Sequence, residues 1–258
     1  MTTTLAVANQ KGGVGKTTTV ASLGIALVER GLRVLLVDLD PQGGLTFSLG
    51  IDPEDVELTA GDVMLGRHRV TEALVVTDEG VHLLPSSIAL TRAEEQLVGR
   101  TGRERRLSVA LDAVAADYDW ILVDCPPTLG VLTVGALAAA DEVIVPLQCE
   151  TLSHRGVGQL LDTIHDVQQL LNPRLRVLGV LPTAYDGRTR HARAVLETIG
   201  ETYGLDVLEP AIPKSVRFAE APAIGRSVLG TSPRHKGAEA YRAVAARLVD
   251  RTPAPAVV

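Results

Sequence analysis

The chain has 258 residues, 46% of them hydrophobic but only 3% aromatic, and a formal net charge of −6. That length suits one large α/β domain with an aliphatic core, and its two cysteines, Cys125 and Cys149, exclude the disulfide framework of a small secreted protein. No apolar run approaches the roughly 18 residues of a membrane span, and the opening MTTTLAVANQ lacks the basic and apolar regions of a signal peptide, so a cytoplasmic protein is expected.

The first predicted strand, LAVAN (5–9), runs into KGGVGKTTT and a helix over about 16–30. A glycine-rich turn between strand and helix is the setting of a phosphate-binding loop. Gly12, Gly13, Val14 and Gly15 supply backbone N–H groups that close around phosphate oxygens, and the helix N-terminus adds positive potential. Lys16 is placed to reach the β- and γ-phosphates, the Thr17 hydroxyl to ligate Mg²⁺, and Thr18 to donate to an α-phosphate oxygen. The loop departs from G-x-x-x-x-G-K-[ST] in having Gln10 for glycine and an extra lysine, Lys11.

The next strand, RVLLVD (33–38), leads into LDPQGG. Asp38 and Asp40 fall two residues apart at the carboxyl end of a buried strand, where open α/β sheets bind ligands. Asp38 is a candidate to hold a metal-bound water and Asp40 to orient an attacking water; the alternative is that one of them caps the turn before Pro41. Residues 52–80 have no clear pattern. A short strand at 81–85 and a helix over about 103–116 precede WILVD (120–124), which ends in Asp124, the Walker B position that holds Mg²⁺ through water. The following CPPTLG reads as a rigid loop. Cys125 and Cys149 have no His or Cys neighbours in sequence and read as small buried thiols.

Helices over about 130–140, 153–171, 189–203 and 235–249, and strands at 143–147 and 177–181, complete the pattern. Continuously apolar strands alternating with helices predict a doubly wound, mostly parallel sheet in a single domain over 1–251, with TPAPAVV (252–258) as a frayed tail. Charge divides unevenly: residues 1–173 sum to −11 and residues 174–258 to +5. The basic last third suits an anionic partner, or is an uneven solvated surface.

KGGVGKTT, VDLDPQGG and ILVDCPPTLG, followed by YDGRTR (185–190), IPKSVRFAEAP (212–222) and KGAEAYR (236–242), resemble the ParA/Soj partition ATPases of the deviant Walker A class over nearly the whole chain. The resemblance implies Mg-dependent ATP hydrolysis and a homodimer closed around two nucleotides, with Lys11 reaching the partner's phosphates. That lysine, with Lys16 and Asp40, makes up the implied catalytic set. It further implies non-specific binding of double-stranded DNA, a ParB-type partner and association with the nucleoid. Arg217 aligns with a DNA-contacting arginine; Arg188 is a second candidate, and Lys236, Arg190, Arg193 and Arg234 extend the patch. PTAYD and IPKS resemble loops that frame the adenine, which brings in Thr183, Asp186, Pro213 and Ser215.

Two departures stand out. LTVGAL has Gly135 where the family often has asparagine, and TLSHRG (151–156) replaces an aromatic segment near the dimer or partner surface. They leave open a relative that positions a different cargo with the same cycle. A membrane-cycling relative like MinD needs an amphipathic C-terminal helix that TPAPAVV does not provide. An iron protein of the nitrogenase kind needs cysteines in other loops, and a repressor-type ParA needs an N-terminal domain for which the loop at residue 10 leaves no room.

Overall fold

The computed structural model describes residues 2–149 and 153–251, the side chains of 153–155 excepted. The expected tail and most of TLSHRG, including the His154 and Arg155 side chains, lie outside the described residues. Seven strands form one sheet: β1 (Thr3–Val7), β2 (Val34–Asp38), β3 (Val75–Val76), β4 (His82–Leu84), β5 (Trp120–Asp124), β6 (Glu142–Gln148) and β7 (Arg176–Thr183). Their order is β3-β4-β2-β5-β1-β6-β7. Every pairing is parallel except β3 with β4, so the expected doubly wound, mostly parallel architecture is what the chain adopts.

The connecting helices are α1 (Lys16–Val28), α2 (Gly44–Ser48), α3 (Ala60–Met64), α4 (Val70–Ala73), α5 (Ala89–Val98) and α6 (Arg106–Asp112). After β5 come α7 (Val131–Ala139), α8 (Ser153–Leu170), α9 (Arg190–Tyr203), α10 (Arg217–Glu220), α11 (Val228–Thr231) and α12 (Lys236–Asp250). Alternation along the strands divides the core. Leu35, Val37, Ile121, Val123, Val143 and Val145 belong to the layer shared with α3, α5, α6, α7 and α8. Leu5, Val7, Leu36, Leu122 and Ile144 belong to the layer shared with α1 and α12. Burial on both faces is why the strands read as unbroken apolar runs. The close seat of α1 depends on Gly24: a Cβ there would lie 2.7 Å from Leu36 Cδ2.

The structure differs from the sequence expectation at several places, the short helices α2, α10 and α11 among them. The first strand ends at Val7, two residues early, because the Asn9 side chain is committed to the loop. The unassigned 52–80 stretch holds α3, α4 and the antiparallel edge strand β3. Helix α5 was not expected, although Leu90, Ala93 and Leu97 are buried at helical spacing. The helix expected over 103–116 is three pieces, the 3-10 turns Arg103–Arg105 and Ala115–Asp117 flanking α6.

Candidate active site

The carboxyl ends of β1, β2 and β5 are in register, with Val7 opposite Asp124 and Asp124 opposite Asp38. The β1–α1 loop rises at this edge. Gly13 and Gly15 adopt left-handed φ values of 72° and 87°, which a side chain resists. Gly15 caps α1, and no acidic residue occupies the first turn of that helix. No acidic side chain of that turn itself offsets the positive potential of its N–H groups.

Three side chains hold the loop, two of them from β6 and β7. The Thr183 hydroxyl donates to the Val14 carbonyl at 2.7 Å and Gln148 Nε2 to the Gly13 carbonyl at 2.7 Å. Asn9 Nδ2 donates to the Pro146 carbonyl at 2.7 Å while its Oδ1 accepts the Lys11 N–H at 2.9 Å. Thr183 thus sits beneath the loop, 4% exposed. The Thr183 hydroxyl, expected from the resemblance to frame the adenine, supports the loop through this bond.

Lys16 is buried, and its Nζ donates to the Lys11 carbonyl at 3.2 Å. Burial lowers its pKa, and the nearby Asp124, Cys125 and Asp40 work against that shift. The Thr17 hydroxyl donates to Asp124 Oδ2 at 2.7 Å. The other oxygen, Asp124 Oδ1, is buried and has no partner among the described residues. Burial, then the facing Asp38, push the Asp124 pKa well up.

Asp38 accepts three hydrogen bonds. Its Oδ2 accepts the Thr46 N–H at 2.9 Å and the Thr46 hydroxyl at 2.7 Å, and its Oδ1 accepts the Asp40 N–H at 3.0 Å. Burial raises its pKa to about 6. Asp38, expected to hold a metal-bound water, braces α2 and the Asp40 loop through these bonds. Asp40 Oδ1 accepts the Gln42 N–H at 3.0 Å, and its carbonyl accepts the Ser86 hydroxyl at 2.8 Å. Asp40 is thus turned back on its own loop, at the crevice edge. Among the described residues no three His, Cys, Asp or Glu side chains converge as a metal cage. A divalent ion here depends on one hydroxyl, water and phosphate oxygens. The Thr17–Asp124 pair with its orphaned oxygen fits magnesium, which prefers oxygen and retains waters. Cys125 is buried and its thiol pKa is pushed up; that of the half-buried Cys149 rises to about 11 by burial.

The last third forms a separate surface. The loops after β7 and before α10 are joined where Tyr185 pairs with Pro213, with the Tyr185 N–H on the Ile212 carbonyl at 2.9 Å. Asp186 takes Arg188 Nε at 2.9 Å, Nη2 at 2.8 Å and its N–H at 3.1 Å, which hold the carboxylate pKa down at about 2. The resemblance assigns these two residues separate roles, nucleotide for Asp186 and DNA for Arg188; in this structure they form one exposed ion pair, each the other's counter-charge. Ser215, expected near the adenine, accepts the Arg217 N–H at 3.2 Å and lies 3.2 Å from His235 Nε2, so it caps the entry to α10.

Arg217, Arg234 and His235 line one shallow concavity, and Lys236 opens α12 beside it, exposed. Arg217 Nη1 also pairs with Glu220 at 2.8 Å. The two regions are connected through the helix layer, where the Thr19 hydroxyl of α1 meets the Tyr241 hydroxyl of α12 at 3.0 Å. Tyr241 in turn packs edge-on to Phe218. Asn9, Thr46, Ser86 and Gln148 were missed in the sequence. Each is an ordinary polar residue whose role depends on a partner distant in the chain.

A family profile described as an AAA domain matches residues 2–177. The chain is 44% identical over 238 residues to the sporulation initiation inhibitor protein Soj of Bacillus subtilis, covering 92% of this chain and 94% of that one. It is 43% identical over 250 residues to the chromosome partitioning protein ParA of Caulobacter vibrioides, covering 96% and 94%. A solved Mycobacterium smegmatis structure, named cobyrinic acid a,c-diamide synthase and holding ADP and magnesium, superposes with a TM-score of 0.87 at 55% identity, covering 96% of this chain and 94% of that one. Two relatives matched nearly end to end, on a fold whose strand ends assemble the phosphate loop, place this chain in the ParA/Soj family of P-loop ATPases.

Proposed function

We propose that this ATPase binds Mg·ATP at the β1–α1 loop, closes as a homodimer in the ATP state, and in that state grips double-stranded DNA without sequence preference. The observation that carries the reading is the Thr17–Asp124 pair beside buried Lys16, with Asp124 Oδ1 left without a partner. Thr17 would hold the magnesium ion directly and Asp124 through water; the ion would supply counter-charge to the phosphates. Lys16 exchanges its bond to the Lys11 carbonyl for phosphate oxygens, and the N–H groups of residues 12–18 enclose them. Asp40 turns from Gln42 to orient water for in-line attack. Lys11 supplies a cation to the partner's nucleotide, so that charge developing in the transition state is stabilised only in the closed dimer. Hydrolysis then reopens the dimer and releases DNA.

Arg217, Arg234 and Lys236 contact phosphates, with Arg188 contributing once released from Asp186. Dimerisation doubles the contacts, which makes the grip depend on ATP. A ParB-type adaptor stimulates turnover and links the cycle to its cargo, and the protein works in the cytoplasm on the nucleoid. The test measures duplex binding at two salt concentrations with ATP, ADP and no nucleotide. Binding with ATP alone, weakening steeply with salt, is expected; equal binding without nucleotide sinks the reading. Lys11→Ala should bind ATP within about threefold of wild type yet fail to dimerise, because an interaction made only across the interface contributes to closure and not to first binding. A normal ATP-dependent dimer from that variant refutes the trans role.

A further inference from the structure

We propose that a cavity remote from the phosphate loop binds a small organic anion with an apolar body, a carboxylate or phosphate carried on a chain or ring. The cavity, of about 560 Å³, opens between the α3–α4 segment on one side and the 3-10 turn Arg103–Arg105 with α6 on the other. That size lies within the range of about 300–1,000 Å³ usual for small-molecule sites. No residue of the phosphate loop or of the basic last third lines it.

Two features set the chemistry of the occupant. The floor is aliphatic, with Val63, Met64, Val70, Ala110 and Val114, all but Ala110 buried. The rim is cationic. Arg69, Arg105, Arg106 and His68 line it, and none of the lining residues is acidic. This is unexpected in residues 1–173, which sum to −11. Glu72 serves Arg69 and His68, at 3.0 and 3.3 Å. Among the described residues neither Arg105 nor Arg106 has a carboxylate partner. Arg106 Nη1 donates to the Met64 carbonyl at 3.3 Å, and its buried Nε has no acceptor among the described residues.

A guanidinium with a buried, unpaired donor beside an apolar floor carries a desolvation cost that an anionic group offsets. Inorganic phosphate would satisfy the arginines but leave the floor wet. A neutral hydrocarbon would fill the floor but leave the arginines unpaired. An amphiphilic anion does both. Gly135 of α7 lies behind the floor, where a Cβ would be in ordinary contact with Met64 Cε at 3.7 Å.

Met64 also provides the readout, since Met1 is the only other methionine in the chain. The full-length protein labelled at its methionine methyl groups is titrated with decanoate, decanol or inorganic phosphate, and the Met64 signal is identified with Met64→Leu. Decanoate should shift that signal saturably, and decanol should bind at least about tenfold more weakly, because charge-assisted hydrogen bonds to arginine are lost. Phosphate alone should not move it at the same concentration. Arg105→Gln, at an exposed side chain, should keep the fold and weaken decanoate by about fivefold. Ala110→Trp should fill the cavity and abolish the shift, with an unchanged circular dichroism spectrum as the folding control. No Met64 response, equal binding of decanol and decanoate, or undiminished binding to folded Ala110→Trp would each overturn the proposal.

Discussion

The phosphate loop and the basic last third are both rich in charge but are wired differently. Around the loop, three of the supporting contacts join positions far apart in the chain: Thr17 with Asp124, Thr183 with Val14, Gln148 with Gly13. The groups are mostly buried, and Asp38 and Asp124 are wholly so. On the last third, Arg188 pairs with Asp186 and Arg217 with Glu220, two and three residues away, in the open. Buried wiring is intolerant of change, because each lost partner leaves a desolvated group behind. Exposed local pairs hold little energy and can be exchanged for an external phosphate. One region is built to be fixed and the other to trade partners.

The largest effect should come from the buried cation. Lys16→Ala should weaken ATP binding by at least about 100-fold, since loss of a desolvated charge-assisted contact costs roughly 3 kcal/mol. Arg188→Ala should leave ATP affinity within about twofold. Calorimetric titration of both variants decides; comparable losses would erase the distinction between the regions.

Next, Arg217→Glu should reduce ATP-dependent duplex binding by more than about tenfold and lower the salt slope by roughly one unit for each phosphate contact removed. Its ATP affinity should be unchanged. A variant that keeps the wild-type salt slope would show that this arginine touches no phosphate.

Thr183→Val tests the fixed region without touching a charge. The Val14 carbonyl would be left buried and unpaired, at a cost of about 1–3 kcal/mol. A fall in Tm with a severalfold weaker ATP affinity is expected. If both are unchanged, the loop does not depend on support from β7.

The smallest effect is on stability against pH without nucleotide. Asp38 has a folded pKa of about 6, above its ordinary 3.8, so the folded state binds more protons between those values. Stability should therefore fall as pH rises from about 4 to about 6. Asp186 has the opposite sign: held at about 2 by Arg188, it contributes above about pH 4 and loses that contribution as pH falls towards 2. Denaturant titrations at successive pH values would show the first slope, made shallower by Asp124→Asn. A flat profile between pH 4 and 6 would mean that the buried carboxylates carry no such strain.

What the sequence determined follows from local constraints. KGGVGKTT needs left-handed glycines before a helix start, the runs VLLVD and WILVD need burial on both faces, and both conditions are satisfied within a few residues. Hence the sheet class and the loop were legible. The antiparallel strand β3 and α4 were not, because four-residue and shorter elements are set by the surfaces they pack against. Only the tertiary structure decided that Asp38 braces Thr46 and Asp40, that Thr183 supports the loop from below, that Asp186 and Arg188 neutralise each other, and that Asp124 Oδ1 is left unpartnered. The physical reason is the same in each case: a polar side chain's role is set by which partner folding brings within hydrogen-bond reach, and for a buried group that partner usually comes from a distant part of the chain.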